Sequence, residues 1–137
     1  MLFRSADAAG IATILLAAPT APDERLPRIC DRARGFVYAV SLLGVTGERA
    51  DVPADLPDTV ARLRRVCTLP ICVGFGVATP DQARAVGAAA DGVVVGTALV
   101  DALKGSLDVN NMATGSTVQA VASLVADIAS GVRSARK

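Results

Sequence analysis

The stretch Ile71-Cys72-Val73-Gly74-Phe75-Gly76-Val77-Ala78-Thr79-Pro80-Asp81-Gln82 sets the architecture of this chain. Its apolar run breaks on two glycines. It continues with Thr79-Pro80-Asp81-Gln82, where a threonine N-cap, a proline at the first helical position and a glutamine three residues after the cap mark a helix start. The stretch therefore predicts a strand, a tight turn and a helix.

A second stretch, Gly92-Val93-Val94-Val95-Gly96-Thr97-Ala98-Leu99-Val100, repeats this order about twenty residues later. A glycine between a strand and a helix lets the backbone approach a ligand, with free N–H groups and the positive end of the helix dipole facing an anion. Two such units in tandem predict a phosphate cradle shared by neighbouring βα loops, as after the last two strands of a TIM barrel.

Apolar runs and helices alternate four times along the chain. We predict one α/β domain over residues 1–137, with strands near 11–18, 36–41, 70–74 and 92–95, an irregular connection over 104–115 and a closing helix over 116–133. This alternation requires parallel strands with right-handed crossovers. A complete eight-stranded barrel needs roughly 250 residues. The chain is therefore either an open α/β sheet or the second half of a (β/α)8 barrel.

Four local expectations accompany this outline. The unalternating apolar run at residues 11–18 is typical of a strand buried on both faces, and Thr20 is expected to cap the next helix. Arg62, Arg64 and Arg65 are expected on a solvated helix face. The closing helix is expected to bury one apolar stripe against the sheet. Its members are Val118, Val121, Ala122, Val125, Ile128, Ala129 and Val132.

Composition excludes several classes of function. The net charge of +1, with one Tyr, three Phe and no Trp, argues against a nucleic-acid partner. The absence of His removes the commonest general base, and Cys67 and Cys72 have no second ligand pair for a metal, so no metal is predicted. The odd count of three cysteines, together with Cys30, favours reduced core thiols. No targeting or membrane segment is evident, so a cytoplasmic location is expected.

Three motifs in fixed order together resemble the tryptophan synthase alpha chain, a TIM barrel. They are Tyr38-x-x-Ser41-x-x-Gly44-Val45-Thr46-Gly47, then Gly74-Phe75-Gly76-Val77-x-Thr79-Pro80, then Asp91-Gly92-Val93-Val94-Val95-Gly96-Thr97-Ala98. The glycine-flanked Val45-Thr46 loop after the strand that bears Tyr38 is the most specific of them. It argues against other phosphate-binding barrels, such as an epimerase or an indole-glycerol-phosphate synthase. The resemblance implies that the chain is the C-terminal half of the barrel, with strands five to eight.

The resemblance also implies a substrate and a site. The family cleaves indole-3-glycerol phosphate to indole and glyceraldehyde 3-phosphate in tryptophan biosynthesis, which makes it a lyase. Backbone amides of Gly47, Gly76, Gly96 and Thr97 would hold the phosphate. Tyr38 and Phe75 would line the pocket for the indole and glycerol part, and Thr46 would belong to a loop that closes over the substrate.

No catalytic residue can be assigned in this chain. By the resemblance, the family's acid–base pair is a glutamate and an aspartate of the first half of the barrel. Glu48, Asp91 and Asp101 are the nearby carboxylates considered as substitutes, and loop or helix-end roles account for them. The reaction needs two positioned proton carriers, so the chain alone is expected to be inactive. The resemblance implies a beta-chain partner, in an α2β2 tetramer, that carries pyridoxal phosphate, with no cofactor in this chain.

Several origins remain open for a half barrel, because it leaves two sheet edges and the inner face of its strands uncovered. The chain is a fragment of a longer gene, the partner of a separate N-terminal half, or a self-associating half barrel. In another class of function, it is a non-catalytic module that binds a phosphate ligand or a partner.

Overall fold

The structure is a computed structural model that describes residues 4–40, 52–74 and 76–135. Within these ranges helices and short strands alternate from α1 to α5, a second helix, α6, then follows α5, and one short turn of 3-10 helix covers Asp23–Arg25. In chain order the elements are α1 (Arg4–Ala8), β1 (Leu15–Ala17), α2 (Leu26–Arg32), β2 (Val37–Val40), α3 (Leu56–Arg64), β3 (Ile71–Gly74), α4 (Pro80–Ala89), β4 (Gly92–Val93), α5 (Thr97–Gly105) and α6 (Thr117–Ser134).

The four strands form one parallel sheet in the order β1-β2-β3-β4. Leu16, Tyr38, Cys72 and Gly92 lie side by side in a row across it. The predicted fold of four parallel strands alternating with helices is therefore confirmed. The strands are shorter than predicted at both edges, since β1 covers three residues and β4 covers two.

The hydrophobic core lies between the sheet and its helices. Val37 and Ala39 of β2 are buried, whereas Tyr38 and Val40 between them are half-buried. This alternation assigns one face of the sheet to the helices and leaves the other face more open. The largest fully buried side chains belong to this core. They are Leu63, Ile71, Val37, Val60, Val73 and Val86.

Burial on both faces was the wrong expectation for the first apolar run. Leu16 is 64% exposed and Ile11 is 61% exposed, whereas Ala17 is buried. The physical reason is that β1 is an edge strand of an open sheet, so its second face and its outer edge have nothing in the described part of the chain to cover them.

The helix starts show which capping signals the fold uses. Thr79 forms the predicted capping box, with its Oγ1 accepting the N–H of Gln82 at 3.3 Å. The predicted cap at Thr20 is wrong, because the chain first makes the 3-10 turn and α2 begins only at Leu26, with Pro27 in its first turn. Two proline signals compete here, and the second one starts the α-helix.

The closing helix buries only part of the predicted stripe, since Ile128 is buried and Val132 packs against the core. In α6 the buried residues are Thr117, Ile128 and Gly131, while Val118 is 80% exposed and Val125 is 48% exposed. Gly131 explains the rotation, because a Cβ there would overlap the backbone of Pro80 in α4. The closest helix contact therefore forms at the small residue, which turns part of the aliphatic stripe outward.

Of the three clustered arginines, Arg64 and Arg65 are exposed as predicted, whereas Arg62 is partly buried and held by hydrogen bonds. The guanidinium of Arg62 donates to the carbonyls of Pro19 and Ala21 and to Asp23 Oδ1. Arg64 pairs with Asp91 at 3.0 Å. Arg62 thereby ties α3 to the loop that follows β1, which is a contact between elements that are distant in sequence.

Candidate anion-binding site at the ends of strands β3 and β4

The turns after β3 and β4 open into one shared cavity of about 230 Å³. Gly76, Gly96 and Thr97, three of the predicted binding residues, are all part of its wall. The full lining is Gly76, Val77, Ala78, Gly96, Thr97, Ala98 and Asp101. Adjacent parallel strands end at the same edge of the sheet, and this is why residues twenty positions apart in sequence meet here.

The two glycines of the β3 turn serve different purposes. Gly76 has a φ of +73°, a left-handed conformation that other residues adopt only with strain. Gly74 is required by space instead, since a Cβ at this position would overlap the backbone carbonyl and Cβ of Val94. The close approach of Gly74 to Val94 brings the two turns near enough to share a cavity.

The N-terminus of α5 presents backbone amides to the cavity. Gly96 is the N-cap of this nine-residue helix and has no side chain to accept the N–H groups of the first turn. The N–H of Leu99 donates to the carbonyl of Gly96 at 3.0 Å, whereas the amides of Thr97 and Ala98 precede the first helical hydrogen bond. The helix dipole adds positive potential at the same place. The start of α5 therefore suits an anion.

The start of α4 is already occupied by the chain's own side chains. Gln82 Oε1 accepts the N–H of Ala78 at 2.9 Å and the N–H of Thr79 at 3.2 Å. Although both helices begin beside the cavity, α4 satisfies these amides internally and α5 does not. Free amides that an anion in this cavity could use therefore lie on the α5 side.

Tyr38 lies beside this site, outside the lining of the cavity. Its hydroxyl donates to the carbonyl of Gly74 at 3.0 Å, and the side chain is half-buried on the open face of the sheet. Its predicted contact with the organic part of a substrate stays a prediction. Thr46, Gly47 and Phe75, the other predicted binding residues, lie outside the described residues.

Four lining residues, Val77, Ala78, Ala98 and Asp101, were missed by the sequence reasoning, and the last two lie on α5. Ala98 follows Thr97 in the first turn of α5, so the helix-start pattern already contained the signal for its amide. Asp101, to which the sequence reasoning gave a helix-end role, lies one helical turn after Thr97 and lines the cavity. It is the one ionisable side chain in that lining, so the attraction for an anion must come from the backbone.

The chemistry available at the cavity is binding rather than proton transfer. A general acid and a general base need two positioned groups, and the lining supplies a single carboxylate. Asp91, the other carboxylate near β4, accepts the N–H of Ile71 at 2.9 Å and pairs with Arg64, which is a structural role. In residues 4–40, 52–74 and 76–135 no group of three or more metal-ligating side chains occurs.

The thiols are also structural. Cys30, Cys67 and Cys72 are free, with the first two buried. Burial, followed by a hydrogen bond with Cys67, raises the pKa of Cys30 from 9.0 to about 12. Burial and the nearby Asp91 raise the pKa of Cys72. The thiols of Cys30 and Cys72 are therefore poor nucleophiles near neutral pH. Over the described ranges, no helix has the length and apolar character to cross a bilayer.

Four parallel strands that alternate with helices, with the glycine turns after β3 and β4 sharing one cavity, define an α/β half barrel. A sequence model of the tryptophan synthase alpha chain matches residues 1–130. The chain belongs to the tryptophan synthase alpha chain family.

Solved structures agree with this assignment. Tryptophan synthase from Mycobacterium tuberculosis, crystallised in space group F222, is 35% identical with a TM-score of 0.76, and the match covers 96% of this chain and 46% of that chain. A structure of the α2β2 tryptophan synthase complex from Pyrococcus furiosus is 37% identical with a TM-score of 0.70, over 93% and 48%. A mutant alpha subunit from the same organism is 36% identical with a TM-score of 0.70, over 90% and 47%. The chain thus spans about half the length of these relatives.

Proposed function

We propose that this chain is the phosphate-binding half of a tryptophan synthase alpha-type lyase and takes the phosphate end of indole-3-glycerol phosphate in the cavity between β3 and β4. The observation that carries the proposal is the uncapped start of α5, where Gly96 leaves the first amides available beside Gly76. A doubly charged phosphate is a suitable ligand for such a group of N–H donors.

Catalysis in this proposal requires a complementary half. Cleavage breaks the bond between C3 of the indole and the glycerol chain, places a proton on C3, and removes the proton of the glycerol hydroxyl that becomes the aldehyde. One group must donate and another must accept, and the cavity offers Asp101 alone. The glutamate and aspartate of the family's first half would supply this pair, so the isolated chain releases no indole.

The same proposal places the chain in tryptophan biosynthesis in the cytoplasm, beside a tryptophan synthase beta chain. A relative from Pyrococcus furiosus is described as part of an α2β2 complex, which supports a beta-chain partner. Pyridoxal phosphate would reside on that partner, and this chain would carry no cofactor.

A phosphate titration tests the binding step. Glycerol phosphate added to the labelled chain should shift the amide resonances of Gly76, Gly96, Thr97 and Ala98. In Gly96→Asp the new carboxylate caps the α5 amides itself and repels the ligand, so affinity should fall by about tenfold or more, equivalent to 1.4 kcal/mol. Gly115→Asp is the matched control, because a Cβ at either glycine meets open space. Equal affinity in both variants would refute the site.

A second candidate function is a half barrel that binds a phosphate ligand or a partner without catalysis. The single carboxylate in the cavity favours it. Mixing the chain with a purified first half of an alpha chain separates the two candidates. Indole release supports the lyase, whereas glycerol phosphate binding without turnover in any mixture supports the binding module.

A further inference from the structure

Two of the three thiols form a pair in the hydrophobic core. The thiol of Cys30 is hydrogen-bonded to the thiol of Cys67. Both cysteines are free, each is 8% exposed, and both belong to the cluster of buried residues between the sheet and its helices. A hydrogen bond between two thiols brings their sulfur atoms into contact, so no other side chain lies between them.

The two members of the pair belong to different parts of the fold. Cys30 lies in the second half of α2, whereas Cys67 follows the end of α3 and lies in the connection that leads to β3. The one other contact of the Cys67 sulfur is local, with the carbonyl of Leu69 at 3.9 Å. A disulfide has a sulfur–sulfur distance of about 2 Å. A small shift of the connection after α3 is enough to close the pair to that distance.

Cys72 lies apart from this pair. It is on β3 between Ile71 and Val73, which are buried against the helices. Because side chains alternate along a strand, the Cys72 side chain is on the opposite, open face of the sheet. There its sulfur lies against Gly92 of β4, 2.7 Å from where a Cβ of that residue would be. The folded chain therefore offers one pairing of thiols, Cys30 with Cys67.

The chemistry open to this pair is a two-electron oxidation. In residues 4–40, 52–74 and 76–135 no third metal-ligating side chain joins two thiols in one group. Hydrogen peroxide is small enough to reach thiols that are 8% exposed. One sulfur attacks a peroxide oxygen, the O–O bond breaks, and a sulfenic acid and one water form. The second sulfur then displaces the sulfenic oxygen as another water, so two electrons and two protons pass from the thiols to the peroxide.

We propose that Cys30 and Cys67 are an oxidation site, at which hydrogen peroxide forms an intramolecular disulfide between α2 and the segment after α3. The inference is independent of the phosphate site. In the reduced chain, the guanidinium of Arg62 already joins α3 to the carbonyls of Pro19 and Ala21 in the segment before α2. The disulfide adds a covalent bond between the same two parts of the chain and closes a loop over residues 30–67. In the chain-entropy model, a bond of this kind lowers the equilibrium constant of unfolding by about a hundredfold.

Peroxide treatment of the folded chain tests the site, followed by mass measurement and by counting of free thiols in urea. Wild type should lose two hydrogen atoms and keep one free thiol, and dithiothreitol should restore all three thiols. Cys72→Ala is the matched control, because it should lose the same two hydrogen atoms and keep no free thiol. Cys30→Ala and Cys67→Ala should each keep both remaining thiols and gain no cross-link.

Four results would overturn the proposal. They are three unchanged thiols in wild type, added oxygen without a cross-link, a disulfide that forms in Cys30→Ala or Cys67→Ala, and a disulfide between two chains on a non-reducing gel. Cys72→Ala also provides a test that needs no change to the pair itself. Its oxidised form should unfold at a higher urea concentration than the same protein after dithiothreitol, and equal midpoints would contradict a bond between α2 and the segment after α3.

Discussion

The hydroxyl of Tyr38 in β2 donates a hydrogen bond to the carbonyl of Gly74 in β3 at 3.0 Å. This bond lies outside the regular ladder of the sheet and fixes the last residue of β3 just before the cavity. The side chain of Tyr38, on the open face of the sheet, is thereby connected to the end of β3, where the turn that carries Gly76 begins. Tyr38 therefore has a structural role that is independent of any contact with substrate.

Tyr38→Phe should lower the free energy of unfolding by about 1 kcal/mol, because it removes one hydrogen bond and leaves the ring in place. Urea denaturation followed by circular dichroism measures this change. Ser123→Ala, on an exposed part of α6, is the control for a polar deletion. An unchanged unfolding midpoint would show that water replaces the Gly74 bond without loss.

Gly74→Ala should destabilise the chain by about 2 kcal/mol, since the added Cβ overlaps the Val94 backbone and forces β3 and β4 apart. The same displacement should weaken glycerol phosphate binding, because the two turns no longer share one cavity. Gly105→Ala at the end of α5 meets open space, so it should leave phosphate binding unchanged and should not lower stability. Normal binding by a folded Gly74→Ala chain would contradict the role assigned to this approach.

Gly131→Ala should separate α6 from α4, because its Cβ would enter the space of the Pro80 carbonyl. We expect a loss of about 2 kcal/mol in thermal or urea unfolding. Gly87→Ala on the facing helix is the control. Its Cβ would lie 3.4 Å from Val132 Cγ1, which is ordinary contact, and alanine favours the helix by about 0.5–1 kcal/mol. Equal effects at the two positions would refute the close contact at Gly131.

Arg62→Met should lower the free energy of unfolding by about 1–2 kcal/mol, because two carbonyls, of Pro19 and Ala21, lose a charged donor. The exposed pair with Asp23 adds little by itself. Arg65→Met, three residues later on the exposed face, should have no measurable effect. The measurement is the free energy of unfolding of both variants in urea. Equal values would mean that Arg62, like Arg65, is simply solvated.

Burial of the Cys30 thiol should make the free energy of unfolding depend on pH in the alkaline range. Its pKa is raised from 9.0 to about 12 in the folded chain, so the folded state holds a proton that the unfolded state releases. The contribution is complete below pH 9 and is lost as the pH rises from 9 towards 12. The free energy of unfolding should therefore fall more steeply in wild type than in Cys30→Ala across this window. Parallel curves would show that Cys30 does not titrate as its burial requires.

Local sequence signals predicted the fold where several of them agreed. The 71–82 stretch combined an apolar run, two glycines and a capping box, and the structure has β3, its turn and α4 in that place. Thr20 failed as a cap because Pro27 offered a competing start to α2. Periodicity identified α6 as amphipathic but did not show which side of the helix packs inward. That orientation depends on the contact of Gly131 with Pro80, two residues that are distant in sequence.

For the site, too, local sequence signals predicted some features, whereas contacts between distant residues decided the others. Glycine spacing was sufficient to bring Gly76, Gly96 and Thr97 to one cavity, because consecutive parallel strands end together. The spacing did not show that Gln82 satisfies the amides at the start of α4, since this depends on a side-chain orientation. It also did not place Asp101 in the cavity, because acidic residues on exposed helix faces are common.

The sequential strand order has a consequence for how the chain assembles. Each strand pairs only with strands adjacent in sequence, so the sheet can grow from β1 to β4 as the polypeptide leaves the ribosome. Of the described elements, α6 emerges last. It packs through Gly131 against Pro80 of α4, a helix that has already been synthesised. A nascent chain halted near residue 115 would thus have these four strands paired with α4 still uncovered, and the eighteen-residue α6 would cover α4 once it emerged.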